Sequence, residues 1–319
     1  MPPRPAASGG RGSPARGHML QQFDERNRDL IVNINGDLVH RDKAGISPFD
    51  SLVQGGDGVW EGLRLYDGKI FRLEEHLRRL HDSARIIAIE DIPSRDAIVE
   101  EIRRTLEANN MTDGVHIRLT LSRGTKITSG MDPRLNQAGP TLIVLAEFKA
   151  PVYGKTGLRL ATSSVRRFPP DCLDPKIHSN NLLQSILAKI EANASGADSA
   201  LLLDREGFIA ECNGTHVFLV RDGAVLTSTT DACPEGITRE TVLGLCRANG
   251  IPYHVGRYSL AEAYRADEMF CTGTMGELAA VTTLDGRTIG SGSVGPMTQR
   301  LTELFMAEVQ ASGVRVVEG

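Results

Sequence analysis

Lysine is scarce in this chain. It supplies seven of the 36 basic residues (Lys43, Lys69, Lys126, Lys149, Lys155, Lys176 and Lys189), and the other 29 are arginine. Chemistry that needs a primary amine therefore has few candidates. Cysteine is scarce too: the five cysteines are an odd number with no Cys-x-x-Cys pair, which excludes a disulfide framework and a zinc knuckle and points to a reducing compartment, the cytoplasm. Long apolar runs are missing, since stretches such as Leu142 to Ala146 fall far short of the ~20 residues that cross a bilayer. No strong charge of one sign is present either: a formal net charge of −4 argues against nucleic-acid or membrane partners. What remains is 40% apolar and 24% charged residues over 319 positions, an ordinary globular composition. It is long enough to bury a sizeable core in one large or two ordinary domains. An enzyme or a small-molecule binder fits these limits.

Residues 1–18, rich in Pro, Gly, Ala and Arg without an acid, read as a disordered tail. Residues 19–148 read as a small α+β unit. Its signals are a hairpin joined at Asp67-Gly68 and a helix with Leu73, Leu77, Leu80 and Ala84 on one stripe, then a second helix ending at Asn109-Asn110 and two apolar strands. KAPVYGKTG, residues 149–157, has the Pro and Gly of a linker. Residues 158–319 read as a larger unit of strands interrupted by three helices. The first of these carries Leu183, Ile186, Leu187 and Ile190 as its expected buried stripe, and the second ends at Gly250. Two lobes with a short connector place a binding cleft between them.

Lys189 falls off the apolar stripe beside Glu191 and reads as a solvated surface lysine, and Lys43, Lys69, Lys149 and Lys155 stand in turn or linker sequence. Lys176 follows RFPPDCLDP and precedes a helix, a frequent place for functional groups, yet on position alone it too reads as a surface residue. Glu211, ahead of the Asn213-Gly214 turn, is either exposed or, if inward, in need of a cationic partner. In PEGITRE the amides of Ile237 and Thr238 would be open donors at a helix start, and CTGTMGE ends a strand in a hydroxyl-rich turn holding Thr274 and Met275. Arg79 has Glu74 and Glu75 one turn before it, which reads as an exposed ion pair. His76 and His81 are five apart, not a same-face metal pair, so no metal is expected.

These segments, in order, resemble the class IV (fold type IV) aminotransferases that use pyridoxal 5′-phosphate. The family includes branched-chain and D-amino-acid aminotransferases, (R)-amine transaminases and aminodeoxychorismate lyase. GDGVWEGLRLYDG, FRLEEHLRRLHDSA, NNLLQSILAKIEA, GFIAECNGTHVFLV, GITRETV, ADEMFCTGTMGELAAV and the closing DGRTIGSGSVGPMTQRL carry the likeness, from about Leu30 to Val309. It implies a small α+β domain and a larger domain with a barrel-like sheet, and a homodimer whose pocket is lined by a loop from the partner, here Lys126 to Pro133. Lys176 then resembles the imine-forming lysine and general base, Glu211 the carboxylate under the pyridine nitrogen, and Arg79 the phosphate clamp. Ile237, Thr238 and Thr274 resemble the phosphate cradle, with Gly214 in the adjoining turn. Trp60, Arg118, Lys126 and Met275 are implied on the substrate side. The implied reaction is a ping-pong transfer of an amino group between a hydrophobic, branched-chain-like amino acid and 2-oxoglutarate.

The sequence also departs from the family. Gly55, His116 and Leu182 stand where branched-chain enzymes usually carry tyrosines, and the lysine-to-asparagine spacing, from Lys176 to Asn181, is one residue longer. A D-amino-acid or (R)-amine transaminase, or a lyase acting on aminodeoxychorismate, stays open as an alternative, as does a non-catalytic binder of the cofactor.

Overall fold

The computed structural model describes residues 21–151 and 157–318. The expected tail, 1–18, lies outside the described residues, as do positions 152–156 of the expected linker.

The first lobe is an antiparallel sheet of β1 (Ile31–Ile34), β2 (Asp37–His40), β3 (Gly58–Tyr66), β4 (Lys69–Ile70), β5 (Val115–Ser122) and β6 (Thr141–Phe148), in the order β4-β3-β5-β6-β1-β2. A short helix, α1 (Ser51–Gly55), leads into β3. At the β3–β4 hairpin Asp67 and Gly68 both take positive φ, 46° and 72°, as a tight turn between right-twisted strands requires. Helices α2 (Leu73–Ile86) and α3 (Arg95–Ala108) belong to the same core, and Leu73, Leu77, Leu80 and Ala84 are fully buried in it, as their 3.6-residue spacing predicts.

The second lobe has a nine-stranded sheet: β7 (Leu158–Arg166), β8 (Ser199–Leu203), β9 (Ile209–Cys212), β10 (His216–Arg221), β11 (Ala224–Ser228), β12 (Tyr253–Gly256), β13 (Glu268–Gly273), β14 (Glu277–Leu284) and β15 (Arg287–Thr288). The order is β12-β11-β10-β13-β14-β7-β8-β9, with β15 beside β14. Two contacts show that the sheet curls on itself: Ser228 Oγ of β11 donates to the Ala210 carbonyl of β9, and Cys212 Sγ of β9 lies 3.6 Å from Cys271 Sγ of β13. The barrel-like sheet expected from the resemblance is thus present. Helices α4 (Pro170–Leu173) and α5 (Leu183–Ala194) cross from β7 to the parallel β8, while α6 (Ile237–Ala248), α7 (Leu260–Tyr264) and α8 (Pro296–Ala311) complete the lobe. The chain then returns to the first lobe, where β16 (Val314–Arg315) pairs with β4 and makes that sheet seven-stranded.

One expectation is overturned. The stripe read as the buried face of α5 is exposed, with Leu183, Ile186, Leu187 and Ile190 between 46% and 66% accessible. Ala188 and Ala192 face the core instead, because only small side chains fit between α5 and the β7–β8 pair. No helix among the described residues is long and apolar enough to cross a membrane.

Candidate active site

The two lobes are stitched together by the segment leading into α5. Trp60 N donates to His178 O (3.0 Å), Asn180 N to Gly58 O (2.9 Å) and Trp60 Nε1 to Ser179 O (3.1 Å), so residues 178–180 run antiparallel to the start of β3. Beside this seam opens a cavity of about 560 Å³. Its wall takes Trp60 and Gly62 from β3, Arg79 from α2, Glu211 from β9, the 214–216 turn, the start of α6, and Thr272 to Met275 at the end of β13.

At one end sits Glu211, 5% exposed, its Oε1 2.9 Å from Arg167 Nη2. Burial pushes its carboxyl up to about 7, and Arg167 and Arg79 hold it from rising further. The helix start of α6 is also part of the wall. Gly236 is its N-cap and no side chain caps it, so the first amides, those of Ile237 and Thr238, point out with the positive end of the dipole. A Cβ on Gly236 would come 2.2 Å from the His216 ring, so the close approach needs glycine. Around these amides, Thr215 Oγ1, Thr272 Oγ1 and His216 Nδ1 are buried without a hydrogen-bond partner. Buried orphans of this kind are costly, and an anion with several acceptor oxygens would satisfy the hydroxyls together. Burial and the surrounding arginines hold His216 at about 3, so its ring is neutral.

A second polar cluster adjoins the cavity. Glu61, fully buried on β3, accepts Arg79 Nε and Nη2 at 2.7 Å each, lies 2.7 Å from His76 Nδ1 and 3.5 Å from His178 Nδ1. Burial alone would raise its pKa, but Arg79 and His178 outweigh burial and hold the carboxyl well below the usual carboxylate range. Arg79 also donates from Nη1 to Glu235 O at 2.9 Å. Of the five N–H groups of a guanidinium, two remain for a ligand. His178 stacks on Trp60 with ring centroids 4.4 Å apart, and Arg118 covers Trp60 at 3.6 Å from the ring centroid.

The structure therefore gathers Trp60, Arg79, Glu211, Gly214, Ile237, Thr238, Thr274 and Met275 around one cavity. Three residues singled out in the sequence stand apart from them. Lys126 bonds the Gly130 carbonyl inside its own loop, and Arg118 lies behind Trp60 rather than on the cavity wall. Lys176 sits on a tight turn, Asp174-Pro175-Lys176-Ile177, closed by Ile177 N donating to Asp174 O (3.0 Å) and Lys176 N to Asp174 Oδ1 (2.9 Å). Its neighbours Asp174, Pro175 and Ile177 line the cavity, but its own side chain enters an adjoining cleft between α2 and α6, with Nζ 3.9 Å from Asp174 Oδ1. The two clefts share Arg79, Gly236 and Ile237 as a common wall. An Asp-Pro pair is itself a turn signal, visible in the sequence. The sequence does not single out Glu61, Arg167, His178 or His216 for the site, and Arg79 pairs with Glu61 rather than with Glu74 or Glu75. The partners of Glu61, Arg167 and His178 lie 15 or more residues away in sequence, and no local pattern reports that. Lys189 is half-buried rather than freely solvated, its Nζ donating to Asp198 O at 2.6 Å. Among the described residues no cluster of His, Cys, Asp or Glu could hold a metal.

Residues 58–284 match the class IV amino-transferase family. The chain is 50% identical over 291 residues to branched-chain-amino-acid aminotransferase-like protein 2 of Arabidopsis thaliana, a match covering 91% of this chain and 52% of that protein. It spans about half the length of that relative. A putative branched-chain-amino-acid aminotransferase of Methanocaldococcus jannaschii is 40% identical over 91% of this chain and all of its own length. Among solved structures, a T.th. branched-chain amino acid aminotransferase complexed with N-(5′-phosphopyridoxyl)-L-glutamate superposes with a TM-score of 0.83 at 34% identity, covering 89% of this chain and 95% of that one. Fold, cavity and sequence converge on one conclusion: the chain belongs to the class IV aminotransferase family.

Proposed function

We propose that this chain is a pyridoxal 5′-phosphate-dependent aminotransferase that moves an amino group between a branched-chain-like hydrophobic amino acid and a 2-oxo acid such as 2-oxoglutarate. The observation that carries the reading is the pairing, in one cavity, of a buried carboxyl group, Glu211, with an uncapped helix start ringed by orphaned hydroxyls. The cofactor fits this wall. Ile237 and Thr238 amides, the Thr272 and Thr274 hydroxyls and the spare N–H groups of Arg79 would hold its phosphate, and Glu211 its pyridine nitrogen. Lys176 is the amine that would join its aldehyde, turning its side chain around the wall that the two clefts share. Bound there, the cofactor supplies an electron-withdrawing ring that makes the Cα proton of an amino acid removable.

The remaining work falls to the chain. Lys176 Nζ, once released, would take up the Cα proton and hand it back. Glu211, its carboxyl near 7 in the protein alone, would be held as a carboxylate by a facing pyridinium and would in turn favour a protonated ring nitrogen. Glu61 holds Arg79 in place at the cavity wall, and Trp60, in contact with Arg118 and His178, gives the cavity an apolar side suited to an aliphatic substrate. The exposed apolar face of α5, with Ile127 and Met131 on the 126–133 loop 64% and 97% accessible, supports a homodimer in which a second copy covers both. The free cysteines support a reducing, cytoplasmic setting. The test is transfer of labelled nitrogen from L-leucine to 2-oxoglutarate by the purified chain supplied with the cofactor. Labelled glutamate supports the proposal, and bound cofactor with no transfer refutes it.

A further inference from the structure

We propose that His178 is a specificity residue of this cavity: its ring turns a bare proton acceptor, Nε2, toward the substrate, so that the site takes amino acids carrying a hydroxyl or other hydrogen-bond donor in place of the terminal methyl of an aliphatic side chain. The inference rests on reading the cavity as the substrate site of an aminotransferase and names a further substrate class for it. His178 is fixed at both ends. Its backbone carbonyl accepts Trp60 N in the seam between the lobes, and its own N–H donates to Ser83 Oγ at 3.1 Å. The ring lies flat against Trp60, with centroids 4.4 Å apart and planes 26° apart, and both rings line the cavity.

The hydrogen bonds decide which nitrogen carries the proton. Nδ1 lies 2.5 Å from the Trp60 carbonyl, which can only accept, so Nδ1 is the donor. The Glu61 carboxylate, 3.5 Å from the same Nδ1, favours the same arrangement. Burial and the positive charge of Arg79 keep the ring neutral against the pull of Glu61. A neutral imidazole protonated at Nδ1 has a lone pair at Nε2, and no group of the protein donates to it among the described residues. Nε2 is not sealed in the core either, since it is absent from the buried atoms that lack a partner while its ring forms part of the cavity wall. An acceptor in that position rewards a donor on the substrate and leaves a methyl group without reward. A site built to hydrogen-bond a hydroxyl discriminates far more sharply than one that merely tolerates it.

The test compares L-homoserine with L-norvaline, which have the same shape and differ by a hydroxyl in place of a terminal methyl. The ratio of their kcat/KM values is measured in cofactor-loaded wild type, His178→Phe and His178→Gln. His178→Phe should lower the homoserine-to-norvaline ratio at least tenfold, whereas His178→Gln, whose side-chain oxygen still accepts, should stay within threefold of wild type. An unchanged ratio in His178→Phe overturns the inference. A readout independent of turnover is the ring itself. Nitrogen NMR of cofactor-free, 15N-histidine-labelled protein at pH 7.5, assigned by loss of the signal in His178→Phe, should show a neutral ring with its proton on Nδ1. A proton on Nε2, or on both nitrogens, also overturns the inference. Should His178→Phe fail to fold, the assignment passes to His178→Gln and the ring tautomer decides. If wild type turns over neither amino acid, the proposed function falls. The inference is then judged on the affinities of the cofactor-loaded protein for the two amino acids by calorimetry, with the same ratios expected.

Discussion

Replacing Glu211 with Gln separates stability from function at the centre of the cavity. In the cofactor-free protein burial pushes this carboxyl up to about 7, against roughly 4.3 in an unfolded chain. A group whose folded pKa is raised contributes stability that is complete below the unfolded value and is lost as pH rises through the folded one. The wild-type protein therefore gives up, between about pH 4.5 and 8, roughly 3 kcal/mol, at about 1.4 kcal/mol per unit of displacement. Gln keeps the shape and an acceptor for Arg167, which also donates to Gln184 Oε1, Ser185 Oγ and Cys212 O, so the arginine is not stranded. For a chain of 319 residues, an unfolding entropy of about 2.1 cal/mol/K per residue turns roughly 3 kcal/mol into about 5 °C. Thermal unfolding of cofactor-free protein, followed by circular dichroism from pH 5 to 8.5, should show Glu211→Gln drawing ahead of wild type as pH rises and leading by about that amount at pH 8. The same substitution should weaken cofactor binding. A variant equally stable or less stable at pH 8 would refute the reasoning, because it would mean that Arg167 already holds Glu211 ionised without cost.

Glu61→Gln should act in the other direction. It removes the counter-charge of Arg79 and a hydrogen-bond partner of His76 and should cost about 3 kcal/mol in denaturant unfolding at pH 7. That loss should shrink below about pH 4.5, where the unfolded wild-type chain takes up a proton that the depressed folded carboxyl still refuses. Gly236→Ala should displace the His216 ring and weaken cofactor binding at least tenfold by equilibrium dialysis, with little change in secondary structure by circular dichroism. A paired Ile186→Glu and Ile190→Glu change on the open face of α5 should turn the proposed homodimer into a monomer by light scattering, with the circular-dichroism spectrum unchanged.

Local signals carried much of this structure. The α2 stripe and the Asp67-Gly68 hairpin follow from spacing and from positive φ at the turn residues. Glu211 and the Gly236-Ile237-Thr238 helix start are recognisable because each lies in a short motif with its own chemistry. Tertiary pairings are not legible. Glu61 meets Arg79 and His178 across 18 and 117 positions, and α5 exposes leucines and isoleucines that helical period alone assigns to a core. Lys176 illustrates the limit most clearly. Its place along the chain does not distinguish it from a surface lysine, and the Asp174-Pro175 turn decides which side of the shared wall its side chain occupies, about which spacing carries no information.

The most direct measurement of the central claim is a single experiment on the cofactor-loaded protein with L-[15N]leucine and unlabelled 2-oxoglutarate, read by mass spectrometry of the amino acids. The account predicts 15N-glutamate and 4-methyl-2-oxopentanoate in equal amounts, both lost in Lys176→Ala. Retention of all the label in leucine, with the cofactor still bound to the protein, would contradict it.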